Sequence, residues 1–244
     1  MRTFLVSFLT AAALVGCADP AQPTDELAGE SDADGEAGKT DRAAEAFTYY
    51  ELRVDDRRCL VADGECGVGF YAARVNRTAT QCGRGPMQPE CKVFAIDWRG
   101  TAMPASVAMS YEDRVRAGEH LVVRGSVVPA ANDASLSLAV TEIWVGNEKE
   151  PGAGVFALVK DNGIRCVRAP CPSLTEQKLN SNLSAQLTGV ELEASGASDD
   201  QLSRAYEQLY GEGLIVVGYR DYDSLGGKTR GANTFYTRAP VPLH

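Results

Sequence analysis

Residues 50–76, YELRVDDRRCLVADGECGVGFYAARVN, and residues 156–180, FALVKDNGIRCVRAPCPSLTEQKLN, carry one pattern twice. Each has an apolar-alternating segment, then a turn: Asp55-Asp56 in the first, Asp161-Asn162-Gly163 in the second. An Arg-Cys dipeptide, a second Cys and a basic residue two before Asn follow in both. The Arg-Cys cysteines lie 107 residues apart, the second cysteines 105 and the asparagines 104. Farther along, Ile96-Asp97-Trp98 answers Val190-Glu191-Leu192 at an offset of 94. His120-Leu-Val-Val-Arg-Gly125 answers Gly213-Leu-Ile-Val-Val-Gly218 at 93. The offset falls by about ten where the first copy alone carries Cys82-Gly-Arg-Gly-Pro-Met-Gln-Pro-Glu-Cys91, so that loop reads as an insertion. Self-similarity of this kind restricts the fold strongly, because both copies must make the same unit. The chain therefore reads as repeat unit 1 over 46–148 and repeat unit 2 over 151–244, joined at Lys149-Glu150-Pro151-Gly152.

Within each unit the periodicity predicts the same elements. Thr48–Val54 and Val155–Lys160 read as strands, each followed by a short extended segment carrying Arg-Cys. Phe70–Val75 alternates as a third strand would; the second copy is more polar there. Val93–Trp98 and Gln186–Glu193 read as the next strand. A helix follows: in the second copy Ser198-Asp199-Asp200 starts it, Leu202, Ala205, Tyr206 and Leu209 form its apolar stripe, and Gly211 stops it. Its partner is Ser106–Ala117. Two strands close each unit: Leu121–Val128 with Ser137–Val145, and Leu214–Tyr222 with Asn233–Arg238 around a Leu225-Gly226-Gly227 turn. The fold class is α+β: two tandem repeats of a small antiparallel β unit with one helix each. Strand order with the helix between strands three and four is that of an OB-like barrel; six short strands can equally pack as an open sheet.

The amino terminus fixes the compartment. Arg2 precedes the apolar run Phe4 to Val15, and Leu14-Val15-Gly16-Cys17 resembles the lipobox of bacterial lipoproteins. Residues 1–16 read as a lipoprotein signal peptide, too short for a membrane span, with Cys17 as the lipidation site bearing diacylglycerol and an amide-linked acyl chain such as palmitate. Ala18 directly after Cys17 favours the outer over the inner membrane under the enteric sorting rule. From 17 to 45 the chain holds nine acidic residues against Lys39 and Arg42 and no aromatic, the composition of a disordered tether. Asp32-Ala33-Asp34-Gly35 lacks the rest of a calcium loop. Of the formal charge of −9, little remains in the body, where 21 cations face 24 anions. Nucleic acid is not an expected partner.

With Cys17 reserved for lipid, six cysteines remain in an exported chain, where disulfides persist. Fifteen pairings are open in principle. Duplication narrows them: Cys166 pairs with Cys171, the counterparts Cys59 and Cys66 pair likewise, and Cys82 and Cys91 close the inserted loop. The chain has no CxxC and only His120 and His244, so neither a metal centre nor a cofactor is expected.

Catalytic signals are sparse for the same reason: two histidines give no triad, and there is no G-x-S-x-G elbow. Gly227-Lys228-Thr229 sits in a hairpin turn and is not a phosphate loop. The pairs Asp55/Asp56 and Asp199/Asp200 fall at a turn and a helix start. Arg57, Arg58, Arg165 and Arg168, beside the disulfides, are the candidates for holding an anionic ligand or a partner carboxylate, against the plain reading of solvated or locally paired arginines.

Tyr50-x-Leu-Arg-Val-Asp-Asp-Arg-Arg-Cys59, the Asn76 segment and Asp161-Asn-Gly-Ile-Arg-Cys-Val-Arg-Ala-Pro-Cys-Pro172 together resemble an uncharacterised domain family of secreted bacterial lipoproteins with acidic tethers. The resemblance implies architecture and export, and transfers no mechanism. The expectation is a lipid-anchored envelope protein that binds an envelope or extracellular protein without catalysis, in one version as an inhibitor of secreted hydrolases. An envelope hydrolase using carboxylates and a purely structural envelope component are the alternatives.

Overall fold

The computed structural model describes residues 48–57, 69–130, 135–147 and 153–240. The signal segment, Cys17, the tether to residue 45, the joint at 149–152, and Arg58, Cys59, Cys66 and His244 lie outside the described residues. In chain order the first half holds β1 (Thr48–Val54), β2 (Phe70–Arg74), β3 (Thr80–Gln81), β4 (Met87–Gln88), β5 (Cys91–Val93) and β6 (Ala95–Asp97). A 3₁₀ turn at Arg99–Thr101, α1 (Ala105–Arg116), β7 (Leu121–Pro129) and β8 (Leu136–Gly146) complete it. The second half holds β9 (Val155–Asp161), β10 (Leu174–Lys178), β11 (Ser184–Leu187) and β12 (Gly189–Glu191). A 3₁₀ turn at Glu193–Ser195, α2 (Asp199–Leu209), β13 (Leu214–Tyr222) and β14 (Lys228–Arg238) follow.

These elements make a mostly antiparallel sheet with two helices. Its hydrogen-bonded order, β11-β10-β9-β13-β14-β8-β7-β1-β2-β5, runs through matching elements from either end. β14 and β8, the last strand of each half, meet in the middle, with Tyr236 opposite Gly146. Among the described residues the parallel pairs are β12 with β14 and β6 with β8. The path is open, and the described strands form no closed barrel. What prevents continuous closure is a break in the third strand: β5 holds β2 while β6 holds β8, and Phe94 between them donates its N–H to Leu136 O at 2.9 Å. Thr188, between β11 and β12, donates its N–H to Lys228 O at 2.7 Å in the same way.

Alternation explains the layers. Tyr50 and Leu52 of β1 turn into the first half's core with Phe70, Val93, Leu121, Val123, Leu138, Val140 and Ile143. Ala157 and Val159 of β9 do so in the second with Leu187, Leu214, Val216 and Phe235. The intervening residues of the same strands, Val122, Trp144, Ile215, Val217 and Tyr236, form a third core with Val75 and Leu179 between the halves. That is why β7 and β13 open on unbroken runs, Leu-Val-Val and Leu-Ile-Val-Val: both faces are covered. Seven residues buried at about 1.5–3 kcal/mol each make separation of the halves cost on the order of 10 kcal/mol.

Both long hairpins bulge at a glycine, between Arg124 and Gly125 and between Val217 and Gly218. A Cβ on Gly125 would lie 2.2 Å from Ala139 O and one on Gly218 1.8 Å from Gly231 O, so neither position accepts a side chain. Helix α2 starts on a capping box: Gln201 N–H donates to Ser198 Oγ and Ser198 N–H to Gln201 Oε1 at 2.8 Å. It buries Ala205 and Leu209, while α1 buries Ala108, Tyr111 and Val115.

Two expectations need correction. The Arg-Cys segment of the second half is a loop with no strand between Asp161 and Leu174, closed at its base by Asn162 N–H on Ser173 O at 3.0 Å. The polar stretch Leu174–Lys178 is a strand like its counterpart Phe70–Arg74, with Glu176 and Lys178 buried. β14 begins at Lys228, five residues before the expected Asn233, and the inserted loop carries the small β3–β4 ribbon.

A reciprocal clasp locks the halves. Asn76, in the left-handed region at φ 58°, donates through Nδ2 to Phe156 O (2.7 Å) and Leu179 O (3.0 Å), and its Oδ1 accepts Phe156 N–H at 2.9 Å. Asn180, at φ 57°, donates to Tyr49 O and Val75 O at 2.9 Å each, and its Oδ1 accepts Tyr49 N–H at 2.9 Å and the Thr48 hydroxyl. Each asparagine thus stands in for a strand partner at the start of the other half's first strand. Asparagine tolerates the left-handed backbone and supplies both a donor and an acceptor, whereas Gly has the backbone freedom without either group and ionised Asp only accepts.

Candidate functional site

β1 and β9 each lead into an aspartate, and the loop tied by Cys166–Cys171 follows β9. Asp55 is fully buried; Arg57 grips it with Nε and Nη2 at 2.8 Å each, and Lys92 Nζ of β5 stands 3.2 Å away. The Arg57 bonds hold its carboxyl well below the usual range, against the opposing pull of burial. Asp161 accepts Arg165 Nη1 at 2.9 Å and Nη2 at 2.8 Å, which lowers its pKa to about 2. Arg57 also lies over the Tyr71 ring at 5.3 Å. Two of the expected ligand-binding arginines are therefore braces of their own loop stems, since a carboxylate two or four residues upstream occupies each fork. Arg58 lies outside the described residues.

Arg168 behaves differently. It sits in the loop closed by the Cys166–Cys171 disulfide, and among the described residues it has no ion pair. Gly163 through Pro170 are all exposed, Val167 completely. The stem below is fixed. Asn162 Oδ1 accepts Ile164 N–H at 2.9 Å, Asn162 Nδ2 donates to Pro172 O at 2.8 Å, and Asn162 N–H bonds Ser173 O. No backbone group of Val167–Pro170 is hydrogen-bonded among the described residues. Tyr210, 62% exposed at the end of α2, lies within electrostatic reach of Arg165. The result is a convex, covalently tied tip with two aliphatic residues (Ile164 and Val167), one unpaired cation and an aromatic beside it. Aromatic residues and arginine are the types enriched at protein interfaces. The inserted loop is tied as expected, by Cys82–Cys91.

Concave sites offer less. An open groove of 640 Å³ runs along the start of α2, lined by Asn147, Ser198, Asp200, Gln201 and Arg204, with Asp199 and Asp200 simply filling the helix's first turn. A pocket of 80 Å³ lies between β1, β2 and β7, where the buried Nε of Arg74 has no partner. Neither holds converging carboxylates. Glu51, whose pKa burial raises against the pull of His120 and Arg53, stands alone beside His120 Nδ1 at 3.8 Å. Among the described residues no three His, Cys, Asp or Glu are grouped to hold a metal.

Sequence reasoning missed one buried charge cluster. Glu176 of β10 accepts Arg220 Nε at 2.5 Å and Arg230 Nε on its other oxygen, and Arg230 Nη1 donates to Gly218 O at 2.8 Å. All three side chains are at most 3% exposed. Register places Ala72, Val127 and Leu138 at the matching positions of the first half. The sequence signal was incomplete: Arg220 falls in an expected strand, but Arg230 precedes the expected Asn233 start, and Glu176 lies in the more polar copy of the third strand.

A family model described as a domain of unknown function, DUF6748, matches residues 48–239. The chain belongs to this family. The matched span opens on the first residue of β1 and ends one residue past β14, so a single DUF6748 domain takes in both halves, the shared core and the asparagine clasp. No curated protein and no solved structure matches the chain.

Proposed function

We propose that this DUF6748 protein is a lipid-anchored bacterial envelope protein, held by Cys17 in the outer membrane, that binds a partner protein without turning over a substrate. One observation carries the reading: the Gly163–Pro170 tip is exposed along its whole length while its stem is fixed by a disulfide, an ion pair and the Asn162 bonds. A segment already ordered loses little conformational entropy on docking, so its contacts appear as affinity. The acidic tether would hold the body away from the lipid surface.

The body itself is, in this proposal, a doubled OB-like unit. In its support, β1-β2-β5/β6-β8-β7 returns to β1 by pairing, with the one parallel contact between β6 and β8 and the helix between the third and fourth strands. The second half pairs in the same order. An OB unit is a partly open Greek-key barrel whose first and fourth loops commonly carry its ligands, and the Cys166–Cys171 loop is the first loop of the second unit.

The test is capture from native envelopes on the full chain and on the double variant V167D/R168E. The reading expects a retained protein that the variant loses. Equal capture by both chains, or turnover of a model substrate by the pure protein, would overturn it. Mass spectrometry of the mature amino terminus tests the anchor separately: lipid on Cys17 is expected, and an unmodified Cys17 thiol would refute it.

A further inference from the structure

The tip has the makings of a peptidase-binding segment. Resting on the partner-binding reading, we infer that the partner is an endopeptidase with an acidic primary pocket, and that Arg168 enters that pocket with the Arg168–Ala169 bond across the catalytic centre. Arg165 cannot serve, because Asp161 already takes its fork in two bonds of 2.8–2.9 Å. Arg168 is exposed and has no ion pair among the described residues. Val167 before it is fully exposed and Ala169 after it is small, so neither side obstructs a cleft. The backbone of Val167–Ala169 makes no hydrogen bond among the described residues, so its N–H and C=O groups are free to bond the walls of a cleft.

The covalent frame makes the segment an inhibitor and not a substrate. Cys166 and Cys171 flank the Arg168–Ala169 bond. Hydrolysis of that bond would take up one water and leave a carboxylate on Arg168 and an amine on Ala169. The disulfide keeps both new ends on the same tip, and no fragment departs. The cut and uncut forms therefore stay docked, and the amine remains beside the acyl group for the reverse reaction, whose effective concentration intramolecular tethering raises strongly.

The full chain is to be titrated against a trypsin-type serine endopeptidase and, as a comparison, an elastase-type one. Inhibition of the first only is expected. R168A should weaken it at least 100-fold, the range of an interface hot spot, R168K should stay within about tenfold since it keeps the charge, and R84A, on a different loop, should change nothing. Complete digestion without inhibition, equal inhibition by R168A, or no effect on either enzyme would overturn the inference. If the envelope capture above still loses its protein on V167D/R168E, the partner-binding reading stands and only the peptidase identity falls.

Discussion

Replacing Asn180 by alanine tests how the two halves are held. The substitution deletes four hydrogen bonds: from Tyr49 N–H and the Thr48 hydroxyl, and to Tyr49 O and Val75 O. At about 1 kcal/mol net for each, the loss is roughly 4 kcal/mol. Alanine in the left-handed backbone at φ 57° adds about 1 kcal/mol. Water will reach part of these half-buried groups, which brings the expected cost to about 3–5 kcal/mol. N180G frees the backbone and should be milder than N180A by about 1 kcal/mol. N180D keeps the shape but turns an oxygen toward Tyr49 O and Val75 O, so it should be no better than N180A. Urea unfolding, followed by far-UV circular dichroism and by the fluorescence of Trp144 in the shared core, measures all three against wild type. Wild type should unfold in one transition, and N76A should show a loss of similar kind. An N180A cost below about 0.5 kcal/mol would refute the reasoning, because four exchanged bonds at a strand start cannot all be silent.

Two further perturbations follow from the ion pairs. E176A should cost about 3–5 kcal/mol by stranding two buried guanidinium groups, whereas E176A/R220V/R230L, which installs the first half's Ala72, Val127 and Leu138 set, should return to wild-type stability or exceed it by about 1–4 kcal/mol; urea midpoints decide. Asp97 and Asp161 have folded pKa values of about 2 against an ordinary 3.8, both lowered chiefly by arginine bonds. Their stabilisation is complete above the unfolded value and is lost as pH falls through the folded one. The melting temperature should therefore drop between pH 4 and pH 2, and D97N and D161N should each flatten that limb; an acid limb unchanged in the double variant would contradict the assignment.

Where apolar residues mark the strand, the sequence was readable to the residue: Thr48–Val54 by its alternation and Leu214–Tyr222 by its unbroken opening run have their expected bounds, and Ser198 caps its helix. Leu174-Thr-Glu-Gln-Lys was harder, because its inward positions are filled by Glu176 and Lys178, which periodicity reads as surface. Arg230 hid the start of β14 for the same reason. Arg57 and Arg165 stood as ligand candidates against a plain reading of local pairing; the fold supplies the partners, Asp55 and Asp161, which in sequence read as turn residues. Asn76 and Asn180 stood out as matched positions, yet their role depends on contacts 80 to 132 residues away, which no local pattern encodes.

The Gly163–Pro170 tip is the surface proposed to meet a partner. A photo-crosslinking residue at position 167 in the full chain, compared with the same residue at the exposed Gln177 of β10, addresses that directly. The expected result is one discrete adduct from position 167 that is absent from position 177 and is suppressed by R168E. Adducts of equal yield from both positions, or none from 167, would contradict it.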